Sequence, residues 1–137
     1  MRALKTLRAD TTGSVAIEFA LIGPALLTML FGVLQIGVAM QNYNALRSAS
    51  ADAARYAVVN YQADANLTTV QIQSYALNVA ANAPYGLKTE RLSVTVADAA
   101  LQRIAGAREL TMSMSYRIPT VLTIMGMGDI PISYDRP

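Results

Sequence analysis

The 137-residue chain has no cysteine and no histidine. Without cysteine there are no disulfide staples, which many small exported domains use in place of a large core. The two absences together exclude thiol nucleophiles, imidazole acid–base chemistry and the usual zinc ligands. The carboxylates Asp52, Asp64, Glu90, Asp98, Glu109, Asp129 and Asp135 are scattered without paired spacing, so solvated surface is their default reading. Gly126 and Gly128 lack the Lys and Ser/Thr of a phosphate-cradling loop and read as turn residues. The TIMGMG methionines have no Cys or His beside them and read as gap-filling core. No enzyme activity, cofactor, metal or small-molecule substrate is expected.

Charge is also scarce, at 15% of residues with a net +2. Arg2, Lys5 and Arg8 account for three of the 11 cations and stand against Asp10 alone, so the chain beyond residue 13 is neutral. No basic stripe interleaved with aromatics is present, and nucleic acid is not an expected partner.

Apolar residues are plentiful, at 53%, and are concentrated near the N-terminus. From Phe19 to Leu46 no charge occurs, and FALIGPALLTMLFGVLQIGVAM is apolar almost throughout. About 20 such residues span a bilayer as a helix. Three cations before the run and none until Arg47 after it place the N-terminus in the cytoplasm by the positive-inside rule. Pro24 removes a backbone hydrogen bond inside the run and is expected to kink or loosen the helix. Gly23, Gly32 and Gly37 either let another helix approach closely or reflect the ordinary frequency of glycine in membrane helices.

The helix is expected to continue through NALRSASADAARYAVV, whose composition favours helix. Ala45, Ala49, Ala53 and Ala57 recur every four residues and form a row of small side chains for tight helix packing. A helix from Ser14 to Val59 would be roughly 70 Å long, more than twice the bilayer core. Tyr43, just past the apolar run, reads as an interfacial anchor.

Next, Asn66 is a candidate cap for a second helix from Leu67 to about Ala81, with Leu67, Val70, Ser74 and Leu77 on its apolar face. Asn82 to Gly86, containing Pro84, ends it. The period then changes to two. LSVTVA (Leu92 to Ala97) and ELTMSMSYRI (Glu109 to Ile118) alternate as half-buried strands, joined by a loop or short helix near Ala99 to Ala107. DIPISYD offers a third strand. The expected class is α+β: a leader (1–13), a transmembrane and protruding helix (14–60), and a small domain (61–137) with a second helix and a three-stranded, antiparallel sheet.

The most informative stretch is Gly13-Ser14-Val15-Ala16-Ile17-Glu18-Phe19, where the polar leader meets the apolar helix. In a secretory signal peptide the apolar core precedes the cut, whereas here it follows, so cleavage would leave the anchor attached. Glycine, lacking Cβ, lets a protease approach the backbone closely. A cut after Gly13 would give Ser14 a new α-amino group. Glu18, a carboxylate at the edge of an uncharged membrane segment, needs a partner, water or a proton. The Ser14 amine one turn away, on the same or a neighbouring subunit, is one counter-charge; headgroup water is the alternative.

This arrangement, a glycine, four residues and Glu-Phe at the head of an apolar helix, resembles the signature of type IV prepilins. GSVAIEFALIGPALLTMLFGVLQIG followed by ADAARYAV looks more closely like the TadE-like proteins, minor pilin-like components of tight-adherence pili. The resemblance is strongest over residues 10–60. It implies cleavage between Gly13 and Ser14 by a prepilin peptidase, a subunit-docking role for Glu18 with Phe19 beside it, and helix packing through Gly23, Pro24, Gly32 and the alanine row. The implied partners are the membrane, other pilins and the pilus assembly platform. The implied location is the bacterial inner membrane, with the domain periplasmic, or outside the cell within a pilus. An uncleaved, anchored binding module of a secretion or envelope complex is the alternative, separated from the first by processing at Gly13.

Overall fold

The computed structural model describes residues 12–63, 65–103, 105–120, 126 and 128–137. The basic leader to residue 11, Asp64, Ile104, the apolar stretch 121–125 and Met127 lie outside the described residues. The architecture is α+β. Its order is helix α1 (Thr12–Gln62), helix α2 (Thr69–Ala81), a 3-10 turn (Thr89–Arg91), and strands β1 (Leu92–Asp98), β2 (Leu110–Ile118) and β3 (Ile130–Arg136). By its contacts the chain divides into two units, Met1–Ile36 and Gly37–Pro137.

In the first unit the described residues are helical throughout. Val15, Phe19, Leu21, Met29 and Val33 are all mostly exposed, so the helix is apolar on every side. Such a helix is stable in lipid or against other helices, not in water. The helix runs unbroken through Pro24, although the proline cannot donate to the carbonyl of Ala20. Thr28 Oγ1 donates to the Pro24 carbonyl at 2.7 Å, which satisfies that hydroxyl within its own helix. Among the described residues, one helix, Gly13–Gln62, is long and apolar enough to cross a membrane.

The second unit is built on an antiparallel sheet of order β1-β2-β3. Val94 pairs with Met114, and Met114 with Tyr134. Because side chains alternate across a strand, Leu92, Val94, Val96, Met112, Met114, Tyr116 and Ile118 all fall on one buried face. Ser93 and Thr95 are left exposed on the other. Helix α2 lies against β1. Helix α1 adds Leu46, Ala49 and Ala53, each wholly enclosed in the same core. Tyr43 meets Tyr134 edge-on, with ring centroids 6.2 Å apart.

Helix α2 departs from the sequence expectation at both its start and its face. Its cap is Thr68, not Asn66: Thr68 Oγ1 accepts from the Gln71 N–H at 3.2 Å, and Gln71 Oε1 accepts from the Thr68 N–H at 2.9 Å. This reciprocal T-x-x-Q box satisfies two N–H groups at once, more than a lone asparagine offers. The buried face is Ile72, Ala76 and Ala80, while Val70 is 69% exposed. Leu67 and Leu77 only flank the core, and Ser74 is exposed. Counting hydropathy alone undervalues alanine, whose short side chain is what permits close approach. At the helix end, Gly86 adopts φ +62° and donates its N–H to the Asn82 carbonyl at 2.9 Å; an L side chain there would be strained.

Between β1 and β2, residues 99–103 and 105–109 are tied by two arginines. Arg108 Nε donates to Asp98 Oδ1 at 2.7 Å, and Arg103 Nε to Glu109 Oε1 at 2.8 Å. These hydrogen bonds hold the Asp98 and Glu109 carboxyls below the usual carboxylate range. With the folded values depressed, the stabilisation is present at neutral pH and fades as pH falls through them.

Two outcomes are expected. Ala53→Leu should destabilise the protein by about 1–3 kcal/mol through overpacking, read as a lower midpoint of denaturation in detergent solution. The Glu109 carboxyl carbon should titrate below the ordinary glutamate range by NMR and move up toward it in Arg103→Ala, which keeps the backbone N–H bond to Glu109.

Candidate functional site

The segment from Gly13 to Phe19 forms the first two turns of α1. The Gly13–Ser14 peptide lies in the first turn, where N–H groups have no acceptor within the helix. This is the part of a helix that opens at least cost. Both residues are exposed. A Cβ built on Gly13 would meet nothing within 4 Å. The fold therefore gives no steric reason for glycine here, although glycine in a helix costs up to about 1 kcal/mol relative to alanine.

Glu18 carries the only charge between Thr12 and Leu46. It is exposed, and the Ser14 hydroxyl donates to its Oε1 at 3.2 Å. The i, i+4 spacing thus brings the two expected partners together, through the hydroxyl in this uncut chain. One lone-pair-rich oxygen, Oε2, remains for a cation. Phe19 is 76% exposed, and its ring lies over Gly23, where an added Cβ would sit 3.7 Å from the ring edge. Around Gly32 and Gly37 an added Cβ would again meet nothing.

The alanine row occupies a different setting. Ala49 and Ala53 are enclosed in the domain core, and Ala45 and Ala57 pack partly against it. The tight packing expected of this row takes place inside the chain. Spacing alone could show that a small-residue face exists, but not which surface it meets.

Sequence reasoning placed Asp52 on solvated surface, and the structure corrects that. Asp52 is half-buried and accepts a hydrogen bond from the Tyr85 hydroxyl at 2.7 Å. That bond, then burial and the Asp52 charge, push the Tyr85 phenol above its usual range. Nearby, Tyr56 and Tyr75 stack with centroids 3.7 Å apart. Partners so far apart in sequence carry no local signal.

Residues 13–55 match a family model described as TadE-like protein. No curated protein and no solved structure matches the chain. The matched segment begins at the glycine of the junction and ends within the helical stretch that carries the alanine row. It supports a pilin-like role associated with tight-adherence pili, in keeping with the resemblance drawn from the junction.

Replacing Gly32 with alanine should leave the melting temperature of the purified chain unchanged or slightly raised, since no neighbour in the chain would be displaced. A clear fall in melting temperature would mean that Gly32 packs within its own chain.

Proposed function

We propose, from a chain whose residues 13–55 are TadE-like, that this protein is a minor pilin-like component of a tight-adherence pilus. It inserts as a prepilin with its basic leader in the cytoplasm and is cut after Gly13 by a prepilin peptidase. It then joins other pilin-like subunits and the assembly platform through the exposed part of α1, with its α+β domain on the periplasmic side. The protein acts by assembly and not as an enzyme.

The observation that carries this reading is the junction itself. A single carboxylate, Glu18, stands at the head of a helix that is apolar on every side and one turn from Ser14. In lipid a lone carboxylate is costly. Cleavage would create an ammonium at Ser14 within reach of Glu18 on the same or an adjacent subunit. Pairing between subunits would offset the desolvation cost and set the axial register of neighbouring helices. The glycine without a steric need in its own fold suits a bond that must enter a protease. With Ala49 and Ala53 already enclosed, Gly23, Pro24 and Gly32 remain as the small or kink-prone positions for contact with other helices.

The test is the N-terminal residue of protein purified from its native membrane, by intact mass and terminal sequencing. Wild type should begin at Ser14, and Gly13→Leu should retain the leader. Glu18→Ala should be cut normally yet be missing from purified pili. A wild-type chain beginning at Met1 in cells with active prepilin peptidase would overturn the reading in favour of an anchored adaptor module.

A further inference from the structure

We propose that the open groove between α1 and the C-terminal part of α2 binds a neutral saccharide. The groove has a volume of about 520 Å³, within the range of roughly 300–1,000 Å³ common for small-molecule sites. Asp52, Arg55 and Tyr56 line it from α1, Tyr75 and Asn78 from α2, and Tyr85 from the turn that follows.

The chemistry of these side chains selects the ligand class. A pyranose ring presents two kinds of surface: faces of C–H groups, and vicinal hydroxyl pairs around its edge. Aromatic faces are electron-rich and attract the weakly positive C–H groups. Tyr56 and Tyr75 are stacked face to face, tilted by 8° with centroids 3.7 Å apart, so each covers the inner face of the other and offers a ligand its outer face and edge. Planar side chains with two parallel donors or acceptors match vicinal hydroxyls. Three planar polar groups line the groove, and Arg55 keeps its parallel donors. Asp52 gives one oxygen, Oδ2, to Tyr85 and keeps Oδ1. Asn78 uses its Oδ1 to accept from Asn82 at 3.1 Å, which leaves its amide donors available. Arg55 is exposed and forms no ion pair among the described residues.

The same inventory disfavours other ligands. Arg55 is balanced by Asp52, so the lining has no surplus positive charge to hold a phosphate or another anion. A wholly apolar molecule would cover the remaining Asp52 oxygen and the Asn78 amide donors without replacing their bonds to water, at about 1–3 kcal/mol for each buried group. A ligand dense in hydroxyls and without net charge satisfies both the rings and the polar groups. Aromatic and planar polar side chains also lose little conformational entropy when they bind. The site is separate from the helix junction, and its test does not depend on the pilus reading.

The test uses the full chain in a zwitterionic detergent, because maltoside and glucoside detergents would compete. N,N′,N″-Triacetylchitotriose and maltotriose, both neutral, are the probes. The protein has no tryptophan, and Tyr56, Tyr75 and Tyr85 line the groove, so a change in tyrosine fluorescence is the first readout and amide NMR shifts locate it. At least one trisaccharide should give a saturable change, with shifts centred on residues 52–56 and 75–85. Arg55→Ala and Asn78→Ala, at exposed positions, should each weaken binding about tenfold with the fold intact by circular dichroism. No saturation with either sugar would overturn the proposal and leave the groove as a protein-contact surface. Saturation of equal strength in the Arg55→Ala/Asn78→Ala double variant would overturn it as well.

Discussion

Two helices and a sheet can share a core this small only where their backbones come close, and backbones come close only where side chains end at Cβ. Ala49 and Ala53 on α1, and Ala76 and Ala80 on α2, are all fully enclosed. The larger members of the core then fill the remaining space from the sheet, chiefly Met114 and Ile118. The aromatic stack of Tyr56 on Tyr75 and the hydrogen bond from Tyr85 to Asp52 add side-chain links from α1 to α2 and to the turn that follows it. In the absence of cysteine, it is this packing, with the strand ladders and the two arginine pairs between β1 and β2, that holds the domain.

Helix α1 therefore carries two surfaces of opposite character within one hydrogen-bonded element. Residues 15–36 offer large apolar side chains to their surroundings and enclose almost none of them. Residues 46–57 offer small side chains and bury them in their own domain. The first surface requires lipid or partner helices, and the second requires nothing beyond the chain. Glu18 lies on the first, where the Ser14 hydroxyl donates to it and its charge still calls for a partner, water or a proton.

Much of this was legible in the sequence, for reasons that differ by element. The strands could be read because alternation survives one-sided burial: Leu92, Val94 and Val96 point inward as Ser93 and Thr95 point out. The apolar helix could be read because its length and lack of charge leave few other structures open to it. The face of α2 could not be read, because its buried positions are mostly alanine and a hydropathy count favours Val70, which is exposed. The cap was missed for a related reason. Asn66 is a good capping residue by type, but Thr68 gains a reciprocal bond with Gln71, and that advantage depends on a pair of residues. At the junction, helical spacing is local and sets Ser14 beside Glu18, through its hydroxyl and not the amine the sequence suggested, whereas Asp52 with Tyr85 left no local signal.

The burial of Leu46, Ala49 and Ala53 has a bearing on how such a protein can be divided or recombined. By hydrogen bonding these residues belong to the helix that begins at Thr12, and by packing they belong to the domain that ends with β3. A fragment beginning after α1 would expose the inner faces of α2 and the sheet, and a transplanted anchor would bring the wrong side chains to that core. The unit of exchange between relatives is thus the domain together with the last turns of its helix, and a viable crossover has to fall upstream of Leu46.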